Sequence, residues 1–424
     1  MVDRMSKVLG LQCKECAALY EIGAKHVCEL CFGPLEVTYD YDYIKAQISR
    51  KKIENGPLSL WRYADLLPVE TGWDKDVRVG FTPMQHARRL GAELGLRNLY
   101  IKNDSVNPTF SFKDRPVAVA ITKARELGYK VFACASTGNL ASAVSAAGIK
   151  ADMQTYVFMP SDVESGKITN AAIYGAHLIA VNGTYDQLNR LCSEIVDEEN
   201  WAFCNINMRP YYAEGSKTIA LETVEQLGWK APDHVVVPIA SGALYTEVAK
   251  GFSELVEVGL LESQSVRISG AQAKGCNPVA KAFAEGEERF EPVRNPTTVA
   301  KSLAIGNPAD GNYSIAIANK TNGLIEQVSD EEIVDAVRLL AATEGIFTEP
   351  AGGVTIATLK KLAAAGKVGP DELTVAYITG NGLKAQEAIN DQLGASMTVE
   401  PTISSFEQEL ATMQYEVNTE SITV

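Results

Sequence analysis

Three groups of residues in this chain have types and spacings that suit chemistry. The first is the segment C-K-E-C-A-A-L-Y-E-I-G-A-K-H-V-C-E-L-C. Cys13 and Cys16 form one Cys-x-x-Cys pair, Cys28 and Cys31 a second, with eleven residues between them. Each pair can place two thiolates on one side of a tight knuckle, and four thiolates suit tetrahedral zinc at about 2.3 Å each. So small a unit has little core, and bound metal would supply its folding energy. The competing reading is four unligated cysteines near a flexible terminus. Four sulfurs leave no open position, so the metal expected here is structural. The second group is N-P-T-F-S-F-K-D-R-P, with Lys113 between Phe112 and Asp114. Pro116 fits a helix start there. A lysine fixed at a helix start beside aromatic rings is partly desolvated. Desolvation lowers the pKa of an amine and makes it a nucleophile towards an aldehyde. Most lysines are solvated surface groups, so residue type alone does not decide this. The third group is a set of small polar turns. Thr137, Gly138 and Asn139 follow K-V-F-A-C-A-S, and Ser241, Gly242 and Ala243 follow H-V-V-V-P-I-A. Thr379 and Gly380 end T-V-A-Y-I-T-G, before Asn381 and Gly382. Each is an ordinary loop sequence alone, but three in equivalent places point to a ligand reached by backbone N–H groups. A helix starting near Ala243 can hold a phosphate at its N-terminus.

These groups need elements to hold them. Apolar runs of strand length alternate with helical patterns of about 10 to 15 residues, which means α/β layers with much parallel sheet. The cycle runs from K-V-F-A-C-A-S through M-Q-T-Y-V-F-M-P and A-H-L-I-A-V, and again from H-V-V-V-P-I-A through V-R-I-S-G-A-Q to T-V-A-Y-I-T-G. Strong cycles on both sides of position 220 predict at least two layered lobes. Ligands on such open sheets bind beyond the carboxyl ends of the strands, where all three turns lie. Residues 37–76 are mixed and turn-rich, as for an arm packed on a larger body.

Composition removes several classes. The chain has 424 residues, with Asp plus Glu at 53 and Lys plus Arg at 39, a formal charge of -14. That balance argues against broad nucleic-acid or acidic-membrane binding, while leaving room for one basic pocket. The four histidines, His26, His86, His177 and His234, occupy neither an H-E-x-x-H nor a nucleophile-elbow context. No G-x-G-x-x-G or P-loop signature is present. The start lacks a signal-peptide core, and no apolar run approaches the roughly 20 residues that span a bilayer. The expectation is a cytoplasmic protein, with no membrane and no nucleic-acid partner.

The segment S-F-K-D-R, preceded by N-P-T, closely resembles the cofactor-lysine segment of threonine synthases. These are fold-type II pyridoxal-phosphate enzymes of the tryptophan-synthase-β-like group. G-F-T-P-M (80 to 84), S-T-G-N (136 to 139), E-G-S-K-T (214 to 218), F-T-E-P-A-G-G (347 to 353) and T-G-N-G-L-K (379 to 384) are similar to that family's segments, in the same order. The resemblance implies an α/β fold-type II enzyme with two open twisted-sheet, three-layer lobes and a small zinc-ribbon-like unit. Its expected divisions are the ribbon at 1–38 and an arm with the first part of the large lobe at 39–110. A smaller lobe carrying the asparagine loop follows at 111–225, then the large cofactor lobe at 226–410 and a tail at 411–424.

The resemblance also implies roles. Lys113 bonds pyridoxal 5'-phosphate, Asn139 meets its ring hydroxyl, and Thr379 faces its pyridine nitrogen. The loop Ala240, Ser241, Gly242, Ala243 and Leu244 cradles its phosphate. Ser136 and Thr137 lie where the family binds a substrate α-carboxylate, and Thr82, Lys102 and Asp104 are further candidates for substrate contact. The implied reaction converts O-phospho-L-homoserine and water to L-threonine and phosphate. A homodimer is expected. Three departures stand out: the phosphate loop keeps one glycine, Asn381 replaces the family's histidine, and Tyr212 stands where an arginine usually precedes E-G-x-K-T. Arg209, or else Lys217 or Lys102, is then the expected ligand of the substrate phosphate. The alternative reading is another fold-type II lyase or β-replacement enzyme acting on O-phosphoserine, serine or threonine.

Overall fold

The N-terminal cysteines sit on a small antiparallel sheet of β1 (Val8–Cys13), β2 (Leu19–Tyr20) and β3 (Leu35–Tyr39), in the order β2-β1-β3. Alternate residues of β3, namely Leu35, Val37 and Tyr39, are buried, as expected where successive side chains point to opposite faces. The computed structural model describes residues 6–70, 78–161, 165–183, 185–262, 265–389 and 395–420. It falls into two compact units, Met1–Ala385 and Gln386–Val424.

In the first unit, β4 (Met84–His86) and β5 (Leu99–Asn103) open a large sheet. The chain then builds a separate parallel sheet from β6 (Val131–Ala135), β7 (Gln154–Pro160), β8 (His177–Val181) and β9 (Ala202–Phe203), in the order β8-β7-β6-β9. It returns with β10 (His234–Pro238), β11 (Arg267–Ala273), β12 (Ile325–Val328) and β13 (Thr374–Ile378). The large sheet reads β12-β11-β10-β13-β5-β4, parallel except for the β4–β5 pair.

Both sheets are covered on two faces. Val235 and Val237 of β10 join one core with Tyr245 and Val248 of the helix Ala243–Glu257. Val236 joins the other core with Ile356 and Leu359 of the helix Pro350–Ala364. The smaller sheet repeats this, with Phe132 and Cys134 towards Ala141 and Val144, and Ala133 and Ala135 towards Leu188 and Cys192. A strand buried on both faces has no polar side, which is why H-V-V-V-P is a continuous apolar run. The result is two three-layer α/β lobes.

The second unit carries a short turn of 3-10 helix, Gln386–Ala388, and the helix Ile403–Glu420. Among the described residues, no helix is long and apolar enough to cross a membrane.

Candidate active site

The Lys113 turn is stitched to the end of β13. Phe112 N donates to Thr379 O at 2.8 Å, Asn381 N to Phe110 O at 3.0 Å, and Glu349 N to Gly380 O at 3.0 Å. Three loop segments thereby pair side by side at the carboxyl ends of β5 and β13. Lys113 is the last residue before the helix Asp114–Glu126. Buried Asp114 anchors that start by accepting from Thr109 N and Thr109 Oγ1, both at 2.8 Å. Burial pushes its carboxyl up to about 6, against the pull of those two bonds. The Lys113 ammonium donates to Tyr212 Oη at 2.8 Å and lies over the rings of Phe112 and Tyr212. Tyr212 reaches it because the helix Arg209–Ser216 packs directly on the lysine helix. A Cβ at Gly215 would stand 2.5 Å from Arg115 O.

The other lobe supplies Asn139, the first residue of the helix Asn139–Lys150 after β6. Its Nδ2 donates to Glu349 at 3.1 and 3.0 Å, joining the four-stranded lobe to the six-stranded one. Glu349 is buried, which raises its carboxyl pKa. Asn139, Lys384, Ser302 and Lys113 pull the other way. Ser136 and Thr137 are half-buried in the same turn as Asn139, and Gly138 N donates to Ser136 Oγ at 3.2 Å. Thr379 follows β13 with little exposure.

Ala240 to Leu244 join β10 to the helix Ala243–Glu257. Gly242 adopts φ +92°, and a Cβ there would meet the Asp310 backbone at 2.8 Å, so glycine is required twice over. No side chain caps this helix. Its first amides have no intrahelical acceptors and point at an anion's place. A reachable amine, an uncapped helix start, an amide from the opposite lobe and a neutral hydroxyl together fit a phosphorylated aldehyde.

The profile of the pyridoxal-phosphate-dependent enzyme family matches residues 76–380. The chain belongs to that family. It is 38% identical over 381 residues to the threonine synthase of Methanocaldococcus jannaschii, covering 89% of this chain and 93% of the relative. The threonine synthase of Methanosarcina acetivorans is 37% identical over 400 residues, covering 94% and 98%. Among solved structures, tomato threonine deaminase isoform 2 superposes with a TM-score of 0.61 at 23% identity, over 73% of this chain and 82% of that one. Maize serine racemase gives 0.61 at 21% identity, over 73% and 91%. These two likenesses establish the family's fold-type II architecture.

Against this family background, several residues expected at the substrate lie elsewhere. Lys102 is fully buried and donates to Thr82 O at 2.7 Å, Glu222 Oε2 at 2.7 Å and Gln226 Oε1 at 2.8 Å. Its three N–H groups are spent, and none remains for a substrate phosphate. Asp104 takes two bonds from Arg115, at 2.6 and 2.8 Å, and one from Thr82 Oγ1 at 2.6 Å. Thr82 and Asp104 thus belong to a closed buried network instead of a substrate surface. Lys217 is equally buried, held by Glu214 and by Glu254 at 2.8 Å with its ammonium over the Tyr39 ring. Arg209 is part-exposed and pairs with Asp310 at 2.8 Å, while Asp310 N donates to Ser241 O at 2.8 Å. It therefore stands beside the loop Ala240 to Leu244, one turn from Tyr212 on its helix. Asn381 Oδ1 accepts from Leu383 N at 3.0 Å and shapes its own turn.

Two residues have contacts at this site that the sequence does not show. Glu349 lay inside F-T-E-P-A-G-G without a role, and its signal is the Gly380 it excludes from bearing a side chain: a Cβ there would stand 2.4 Å from the Glu349 carboxyl. In sequence Tyr212 reads as the residue in an arginine's place, with a hydroxyl to offer the substrate phosphate; its contact with Lys113 is not visible there.

The four cysteine sulfurs lie within 4.8 Å of one another. Cys13 and Cys31 are 3.4 Å apart, Cys16 and Cys28 3.6 Å. A tetrahedron of zinc–sulfur bonds has edges of about 3.8 Å. Glu15 N and Leu30 N donate to Cys13 and Cys28 at 3.4 Å, as knuckle amides do.

Proposed function

We propose that this chain is a threonine synthase, a lyase that takes O-phospho-L-homoserine and water to L-threonine and inorganic phosphate. The observation that carries the reading is Lys113, held by one neutral partner at the strand ends, in a chain 38% identical to a threonine synthase over 89% of its length. Pyridoxal phosphate, when bound, supplies an electron sink for charge that develops at the substrate's α-carbon.

The chain's own residues do the rest. Lys113 would hold the cofactor through its amine, and that amine, when free, is the base nearest the substrate's α-proton. Backbone amides of Ser241 to Leu244 hold the cofactor phosphate, with Ala240 leading into the turn. Asn139 faces the ring hydroxyl, its amide oriented by Glu349. Thr379 offers the ring nitrogen a neutral hydroxyl, which does not force protonation as an aspartate would. Ser136 and Thr137, at the start of the helix Asn139–Lys150, receive the α-carboxylate where a helix N-terminus favours an anion. Arg209 receives the substrate phosphate through a guanidinium that can bond two oxygens at once. Overall the substrate loses an α- and a β-proton, phosphate leaves Cγ, water adds at Cβ, and the protons return.

The reading includes one structural zinc on Cys13, Cys16, Cys28 and Cys31, supported by their spacing. It also includes a cytoplasmic homodimer with a small anionic amino acid as its partner. The deciding assay supplies purified protein with O-phosphohomoserine and O-phosphoserine in parallel. Threonine and phosphate from the first alone are expected. Turnover of O-phosphoserine with none of O-phosphohomoserine would transfer the chain to the β-replacement class.

A further inference from the structure

Lys113, half-buried, has an unusual companion for a lysine. Lys102 and Lys217 are each held by carboxylates. Lys113 instead meets a phenol at 2.8 Å. A phenol hydroxyl can accept from an ammonium and can also donate to a neutral amine, so the contact survives the gain or loss of a proton. Burial raises the Tyr212 pKa, though the Lys113 charge opposes it, and the hydroxyl keeps its hydrogen. Tyr212 is 8% exposed, and Gly215 seats its helix against the backbone of Arg115 and Pro116. The post is therefore rigid, while a lysine stem is flexible. Histidine does not compete for the task. His86 and His177 stack on Tyr100 and Tyr156, His234 is buried against Ser269, and His26 belongs to the cysteine unit.

We propose that Tyr212 is a positioning residue that receives the Lys113 amine whenever that amine is not bonded to the cofactor, and so aims the proton-transferring group at the substrate. The proposal rests on the reading of Lys113 as the cofactor lysine. It accounts for the tyrosine at a position where the family resemblance leads one to expect arginine. A guanidinium 2.8 Å from Lys113 would repel its ammonium and could not accept its hydrogen bond.

Tyr212→Phe removes one hydroxyl and keeps the ring's packing. In cofactor-free full-length protein, acetylation of Lys113 by a lysine-selective reagent, followed by mass spectrometry, is expected to run about two- to tenfold faster than in wild type, the worth of one hydrogen bond. Lys102 and Lys217 serve as unreactive internal controls. In the loaded enzyme kcat falls about tenfold or more while KM for O-phosphohomoserine stays within about twofold, the pattern of an interaction used after binding. Tyr212→Gln, which restores a neutral hydrogen-bonding group, recovers part of kcat. Unchanged labelling with unchanged kcat in Tyr212→Phe overturns the proposal, and so does an equal loss in Phe and Gln variants with KM rising in step. Borohydride reduction of loaded wild type separates the two claims. Trapping at Lys113 leaves the cofactor reading standing whatever Tyr212 does, and trapping elsewhere removes both.

Discussion

Directly beneath the lysine turn every charge has its partner, whereas at the turn itself the charges are left under-paired. Below, Arg115 binds Asp104 and Glu222, and Lys102 binds Glu222, all fully buried. Two cations face two carboxylates, and Thr82, Thr218 and Gln226 take the remaining bonds. Burial alone would raise the Glu222 carboxyl, but Arg115 and Lys102 outweigh it and hold it down at about 2. Above, Lys113 leans on one phenol, and Glu349 is raised by burial with Asn139 as its main relief. Lys102 and Lys113 are eleven residues apart in sequence. Residue type does not separate the two lysines; Lys102 is fully buried and Lys113 half-buried, but the sharper difference lies in their partners. It is whether all of the ammonium's donors are held, with a fixed carboxylate among the acceptors.

This contrast can be broken by mutation. Lys113→Ala should abolish turnover, by about a thousandfold or more, and remove the visible absorbance of the lysine-bound cofactor. Stability should move by no more than about 1 kcal/mol, because no buried ion pair is opened. Spectroscopy and a denaturation curve on one preparation test both halves.

Glu222→Ala should do the reverse. It strands Arg115 and Lys102, at a cost of about 3–5 kcal/mol in unfolding free energy. The same network predicts an acid limb. The folded Glu222 pKa is depressed, so its contribution is present above its unfolded value of about 4.3 and is lost as pH falls towards about 2. Glu214, also held down at about 2 by Lys217 and Lys250 against its burial, titrates in the same window. Urea unfolding from pH 5 to pH 2 should show that loss, with a shallower limb in Glu222→Gln.

A smaller effect is expected at Arg209. Removing it should raise KM for O-phosphohomoserine first and lower kcat/KM about thirtyfold, the worth of about 2 kcal/mol. Arg209→Lys should recover only part, since an ammonium lacks the planar fork. Steady-state kinetics decide this, and an unchanged kcat/KM removes Arg209 from the site.

The smallest effect on chemistry belongs to Cys28→Ser. Metal analysis should fall from about one zinc per chain towards none, and the N-terminal sheet should loosen. The cofactor absorbance should persist. The ribbon touches the Tyr212 helix through Tyr211 Oη, which exchanges hydrogen bonds with Gly23 N and O at 3.1 and 2.9 Å. A rise in KM of about two- to fivefold measures that link.

How much of this was legible in sequence follows the same division. Strands buried on both faces announce themselves as apolar runs, and H-V-V-V-P and T-V-A-Y-I read directly. β5 did not, because Lys102 in its middle looks like a surface residue until Glu222, 120 positions away, is folded against it. β9 is two residues long and carries no pattern. Lys113 stands out in sequence through its flanking motif. The misplacement of Lys102, Asp104 and Lys217 at the substrate had one cause: a sequence shows a charge, but not the distant partner that neutralises it. Glu349 and Tyr212 were hidden for the converse reason, since their meaning lies in contacts across 210 and 99 residues.

The claim that Lys113, and neither of its saturated neighbours, carries the cofactor is open to one direct measurement. Loaded protein is reduced with borohydride, digested and mapped by mass spectrometry. The cofactor mass is expected on the peptide containing Lys113, with Lys102 and Lys217 unmodified. Cofactor fixed on Lys102, Lys217 or any other lysine, with Lys113 bare, would contradict the account.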